Sequence, residues 1–152
     1  MDADAMSATL AKIPYTNELG LTLDSVSDGE VRMTLPDGEA NRNLAGTVHA
    51  GLLYTFGETL AGVAAGLETL EQAFPFARRA EIRYRRPARG VVRGTARVEP
   101  AEIRRVKDEL ARDGRSELTV HARLSGDDGE TVAEVDVDYA FRPHPDKRGK
   151  RT

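Results

Sequence analysis

The sequence predicts an α+β domain in which a curved antiparallel sheet of about six strands wraps around one long central helix. Three observations carry that prediction. Six stretches alternate apolar and polar residues with period two, the signature of strands in a sheet covered on one face only. A single segment, "GTVHAGLLYTFGETLAGVAAGL" (residues 46–67), is almost free of charge and long enough for a buried helix. That segment falls between the second and third alternating stretches, so the strands before and after it must share one helix as their cover.

Taken in order, residues 7–13 suit a short helix. Leu19, Leu21 and Leu23 then alternate up to the turn Ser27-Asp28-Gly29, and Val31, Met33 and Leu35 follow on one face, so the pair reads as a hairpin that ends at Pro36-Asp37-Gly38. After the apolar segment come Ala80, Ile82 and Tyr84; Val92, Gly94, Ala96 and Val98; Leu118, Val120, Ala122 and Leu124; and Ala133, Val135, Val137, Tyr139 and Phe141. Between the second and third of these, "PAEIRRVKDELARDGR" spaces Ile103, Val106 and Leu110 as a short surface helix would, though an irregular excursion also fits. Gly126-Asp127-Asp128-Gly129 is a hairpin signal joining the last two strands. The domain is expected to span residues 1–142, with "PHPDKRGKRT" (143–152) following it as a charged, disordered tail.

On a helix through residues 51–67, Leu53, Phe56, Leu60, Val63 and Leu67 form a stripe of large side chains. Gly51, Tyr54, Glu58, Ala61, Gly62 and Ala65 form a smaller-residue stripe about opposite. Both faces read as buried, which calls for a second copy of the chain on the side the sheet does not reach, a homodimer at least. Each interior glycine costs about 0.5–1 kcal/mol relative to alanine, so Gly57, Gly62 and Gly66 argue for close contact with neighbouring backbone. Glu58 is the one ionisable side chain of this helix apart from Tyr54. A buried carboxylate is either paired or has its pKa raised, and the arginines of the next strand, Arg78, Arg79, Arg83, Arg85 and Arg86, are the available structural partners. The other reading is chemical: Gly51 and Glu58 lie seven apart on one face, and free N–H groups of Ala50 and Gly51 at the helix start could bind a developing oxyanion.

Composition narrows the functions. The chain has 152 residues, no cysteine, and 22 Lys plus Arg against 25 Asp plus Glu, for a formal charge of −3. Thiol catalysis, disulfides and zinc-thiolate sites are excluded, no metal is called for, and nothing global draws the protein to nucleic acid. With no Trp and few aromatics there is no stacking platform for bases. The start "MDADAMSATLAKIPY" lacks a basic-then-apolar order and no apolar run approaches the roughly 20 residues of a membrane span, so a soluble, cytoplasmic protein without membrane contact is expected.

"N-x5-H-A-G-x6-E", from Asn43 through His49, Ala50 and Gly51 to Glu58, resembles the active-site signature of the hotdog-fold acyl-CoA thioesterases of the 4-hydroxybenzoyl-CoA and phenylacetate-degradation type. "YRRPARG" (84–90) resembles the end of that family's next strand, and the match in strand order covers roughly residues 17–142. The resemblance implies a hotdog fold, dimerisation through the sheets as a homodimer or a tetramer of dimers, and hydrolysis of a small or medium acyl-CoA at the subunit interface. Coenzyme A would enter only as part of the substrate, with no other cofactor. Carried over by position, it makes Glu58 the nucleophile or general base, puts the N–H of Ala50 or Gly51 in the oxyanion hole, and leaves Asn43 and His49 to orient thioester or water. The usual pattern has two glycines after the histidine, and here the first is Ala50.

Several residues keep two readings. His49 can orient substrate or simply bond loop backbone, and Asn43 can touch substrate or cap its loop. Tyr54 and Thr55, one turn before Glu58, could line an acyl pocket. Arg86 and Arg89 are candidates for the CoA phosphates, while Arg83 is more simply solvated sheet surface. His121 falls on an outward strand face and His144 in the tail. Two other functions fit the same fold: an acyl-CoA-binding protein without turnover, in which Glu58 is a packing residue, and an enoyl-thioester hydratase or dehydratase, for which the His49–Glu58 spacing is atypical.

Overall fold

The computed structural model describes residues 1–145. Two short helices, α1 (Ala3–Leu10) and α2 (Pro14–Glu18), precede strands β1 (Thr22–Ser27) and β2 (Glu30–Leu35). The long helix α3 (Ala50–Gly66) is followed by β3 (Ala73–Tyr84), β4 (Val92–Arg97), α4 (Pro100–Asp113), β5 (Ser116–Ser125) and β6 (Thr131–Pro143). All six strands form one antiparallel sheet in the order β1-β2-β4-β5-β6-β3, so β1 and β3 are its edges. No helix of the described residues is long and apolar enough to cross a membrane.

Local chemistry sets the turns. Asp28 and Gly29 both have positive φ, at 50° and 77°, and Ser27 pairs with Glu30. This is the two-residue loop whose twist suits a hairpin and for which Asp-Gly is the preferred sequence. The stretch at 100–113 is a regular helix: Pro100 stands at its start, Ile103, Val106 and Leu110 are buried, and Gly114 at φ 66° closes it by donating its N–H to Leu110 O. The first helix begins earlier than the apolar spacing suggests, because Asp2 caps it by accepting from Ala5 N–H at 2.9 Å. Leu19 and Leu21 pack on the core from outside β1.

The sheet closes around α3. Leu53, Phe56, Leu60, Val63 and Leu67 are all buried, with Phe56 and Leu60 fully so, and inward residues of β2, β4, β5 and β6 meet them: Met33, Gly94, Ala122, Val135 and Val137. Removing Phe56 to alanine would cost about 3–5 kcal/mol. The glycines do allow close approach, but to side chains rather than to backbone. A Cβ on Gly57 would collide with Val135 Cγ2, one on Gly62 would sit 3.2 Å from the Tyr139 hydroxyl, and one on Gly66 would press on Leu70. The opposite stripe is not uniformly buried within one chain: Ala61 and Ala65 are enclosed, Glu58 and Gly62 are half-buried, and Gly51 and Tyr54 are exposed.

Strand β3 is longer than its alternation shows. It runs from Ala73, and an irregularity between Ala77 and Arg79 shifts its pairing with β6, which breaks the period-two pattern before Ala80. Its outer edge is unpaired along twelve residues. Pro143 ends β6, and His144 Nε2 lies 2.6 Å from Leu70 O; the charged segment 146–152 lies outside the described residues.

Candidate active site

The start of α3 is organised by the loop before it. Asn43 Oδ1 accepts from Ala45 N–H at 3.0 Å and Thr47 N–H at 3.2 Å, its Nδ2 donates to Thr47 Oγ1 at 2.9 Å, and its own N–H donates to Thr47 O at 2.8 Å. Both functional groups of Asn43 therefore serve a closed turn over residues 43–47. The turn is tied to "YRRPARG": Val48 N–H donates to Ala88 O at 2.9 Å and Arg89 Nη1 to Gly46 O at 3.3 Å. Arg86 instead lies 3.7 Å from Asp128 and Glu130 on the β5–β6 turn.

His49 is the N-cap of α3, and its Nδ1 accepts from Gly51 N–H at 3.0 Å. An acceptor at Nδ1 assigns the proton of the neutral ring to Nε2. A Cβ at Gly51 would stand 3.2 Å from that Nδ1, so the glycine keeps the cap tight. The consequence corrects one expectation: of the two amides, Gly51 N–H is occupied by the imidazole, whereas Ala50 N–H has no acceptor among the described residues. Thr55 Oγ1 donates back to Gly51 O at 3.0 Å within the helix.

Glu58 has no cationic partner among the described residues. The five arginines that could have paired with it have other partners: Arg78 meets Glu117, Arg79 meets Glu81, Arg83 meets Glu81 and Asp136, Arg85 meets Glu134, and Arg86 meets Asp128 and Glu130. The reason is register. In β3, residues 79, 81 and 83 alternate away from α3, opposite Asp138, Asp136 and Glu134 of β6. The partner of Glu58 is Tyr139 on β6, whose hydroxyl lies 2.9 Å from Glu58 O and 3.3 Å from Glu58 Oε1. Burial pushes the Glu58 carboxyl above the usual carboxylate range, and the Tyr139 hydrogen bond opposes that only in part.

Two further phenols complete the surroundings. Tyr84, at the end of β3, donates to Ala50 O at 2.8 Å and so fastens the edge strand to the first residue of α3. Tyr54 is near enough to both Tyr84 and Tyr139 to add to the upward push that burial gives their phenols. Sequence reasoning counted Tyr84 and Tyr139 only as inward strand residues. The available signal was that a phenol turned toward a buried helix must find a partner for its O–H. His121 is on the outer face with its Nδ1 2.8 Å from Asp136, away from α3.

Residues 3–140 match the profile of a family described as "Domain of unknown function (DUF4442)". None of the curated proteins matches the chain. Among solved structures, a Pseudomonas aeruginosa protein of unknown function described as a probable thioesterase is similar over 95% of this chain and 97% of its own, at 29% identity and a TM-score of 0.79. A Chlorobaculum tepidum protein of unknown function matches 94% of this chain and 98% of its own, at 18% identity and a TM-score of 0.82. A Ralstonia eutropha phenylacetic acid degradation-related protein matches 89% and 98%, at 22% identity and a TM-score of 0.71. The sheet wrapped on α3 is the hotdog fold.

Proposed function

This chain belongs to the DUF4442 family, and we propose that it is an acyl-CoA thioesterase in which Glu58 performs the chemistry. The observation that carries the reading is Glu58 itself. It is a half-buried carboxylate with no cation among the described residues, in the helix of a fold whose 29%-identical neighbour is described as a probable thioesterase. A thioester is already activated, so a positioned carboxylate and one or two amide donors suffice. Glu58 either attacks the thioester carbonyl to give an anhydride that water then opens, or takes a proton from the water that attacks. In both routes the carbonyl oxygen gathers charge at an amide, the thiolate of coenzyme A leaves, and the carboxylic acid is the other product. The free Ala50 N–H is the favoured oxyanion donor, worth about 3 kcal/mol in comparable acyl transfers. His49 and Asn43 shape the loop and cap that present it, Tyr54 and Thr55 border the acyl group, and Arg86 and Arg89 are the cations for the CoA phosphates.

Geometry supports a homodimeric site. Eight residues of helix separate Ala50 from Glu58, about 12 Å along the axis. A side chain leaning toward the helix start recovers only part of that distance, while an attacked carbonyl must lie about 3 Å from its oxyanion donor. One carbonyl is then served by the amide of one copy and the carboxylate of another. The unpaired edge of β3, fastened by Tyr84 to the start of α3, is the surface for that second copy. Thiol release from short, medium, long and aryl acyl-CoAs tests the reading. Turnover in the wild type that falls about 10²–10⁴-fold in a folded Glu58→Ala variant is the expected result. No turnover across the panel would favour acyl-CoA binding without catalysis, and an equally active variant would remove Glu58 from the chemistry.

A further inference from the structure

Tyr139 is the buried group nearest the chemistry that no part of the thioesterase reading employs. Its side chain is 2% exposed, and its single hydroxyl proton faces two acceptors of the same residue, Glu58 O at 2.9 Å and Glu58 Oε1 at 3.3 Å. One proton cannot serve both fully. The helix is notched to admit the hydroxyl, since a Cβ at Gly62 would stand only 3.2 Å from it. One turn away, Gly57 lets Val135 of the same strand seat against α3, so β6 meets the helix closely on both sides of Glu58.

We propose that Tyr139 is the positioning residue of Glu58, its hydroxyl turning between the backbone carbonyl and the side-chain carboxylate of that one residue as the carboxyl gains and loses its proton. When Glu58 is protonated, Tyr139 donates to the carbonyl and its oxygen accepts from the carboxyl O–H. When Glu58 is ionised, the phenol turns its proton to Oε1. The phenol proton has an acceptor in both states, and the carboxylate gains a donor only in the ionised form that attacks or takes a proton. The titratable groups around this pair are Tyr139 from β6, Tyr54 from α3 and, beyond it, Tyr84 from β3. Inward residues of β5 are Leu118, Val120, Ala122 and Leu124, and no ion pair reaches Glu58 among the described residues. Burial and the neighbouring carboxylate push the phenol up, so it remains a donor throughout the working pH range.

The inference deepens the thioesterase reading and rests on it for its kinetic part alone. The test follows the Glu58 carboxyl directly by carbon NMR in protein labelled at glutamate, with the signal assigned through Glu58→Gln, alongside the pH profile of thiol release. In folded Tyr139→Phe the carboxyl should titrate about half to one pH unit higher than in wild type. The acid limb of kcat/KM should move with it, a loss of roughly three- to tenfold below both limbs, with the loss in kcat rather than KM. Gly62→Ala, which crowds the hydroxyl but keeps it, should shift the titration in the same direction by less. It decides the matter if Tyr139→Phe fails to fold. Coincident titrations in wild type and variants would overturn the inference even if thioesterase activity is present. A shifted titration in a protein without turnover would overturn the thioesterase reading and leave the pairing intact.

Discussion

The two faces of the sheet treat carboxylates in opposite ways. On the face turned away from α3, Glu134 and Asp136 lie among Arg83, Arg85 and His121, and those neighbours hold both carboxyls below the usual range. Where the sheet covers α3, Glu58 meets one phenol and no cation among the described residues, and burial drives its carboxyl up. Charge is plentiful where water already solvates it and each pair is worth little. A lone carboxylate in the covered layer is costly, and such perturbed groups concentrate at functional sites.

The contrast is sharpened most strongly by tightening the covered layer. Gly57→Ala puts a methyl where Val135 Cγ2 stands, so the helix must lift from β6 beside Glu58. Overpacking of this kind typically costs about 1–3 kcal/mol, enough to outweigh the gain in helix propensity. Urea unfolding should show the loss, and adding Val135→Ala should relieve part of it, making the double variant less unstable than the two losses summed.

Legibility in the sequence follows the same division. Alternation revealed the strands because one face is wet and the other dry, and the Ile103, Val106, Leu110 spacing offered α4 for the same reason, beside an irregular excursion. The first half of β3 was hidden because "AFPFARR" alternates poorly: Phe74 and Phe76 are exposed on an edge strand, and the irregularity at Ala77–Arg79 breaks the period. Spacing singled out Glu58 and Gly51, the family resemblance added His49, and the structure brings His49 and Gly51 into contact. What spacing could not give was direction. It left the β3 arginines as partners for Glu58, although the register turns them outward, and it left Gly51 N–H free, although the imidazole two residues earlier takes it. Tyr139 was beyond reach because it meets Glu58 across 81 residues of chain.

A second way to test the contrast is through pH. A carboxyl whose pKa is raised on folding binds its proton more tightly in the native state, so the stability it contributes is complete below the unfolded value of 4.5 and is lost as pH rises through the raised folded value. Glu58→Gln removes that titration while keeping the shape. The variant should therefore match the wild type in acid and exceed it in stability at neutral pH. Denaturant midpoints measured at several pH values would show the two curves diverging as pH rises. Parallel curves would mean that Glu58 titrates like a surface carboxylate.

The smallest effect belongs to the outer face and serves as the control for all the others. Arg83 joins two carboxylates there, bonded to Glu81 at 3.0 Å and Asp136 at 2.7 Å, with its own side chain 42% exposed. Its length and its two partners make it look more important than anything near Glu58. Exposed pairs of this kind contribute about 0–1 kcal/mol, and less as salt rises. Arg83→Ala should thus leave the denaturation midpoint nearly unchanged at moderate salt and leave the acid limb of thiol release where it is, since the outer carboxylates do not reach across the sheet to Glu58. A shift of that limb comparable to the one expected for Tyr139→Phe would show that the two faces are electrostatically coupled through the sheet, and the division between a solvated outer layer and an isolated inner carboxylate would fail.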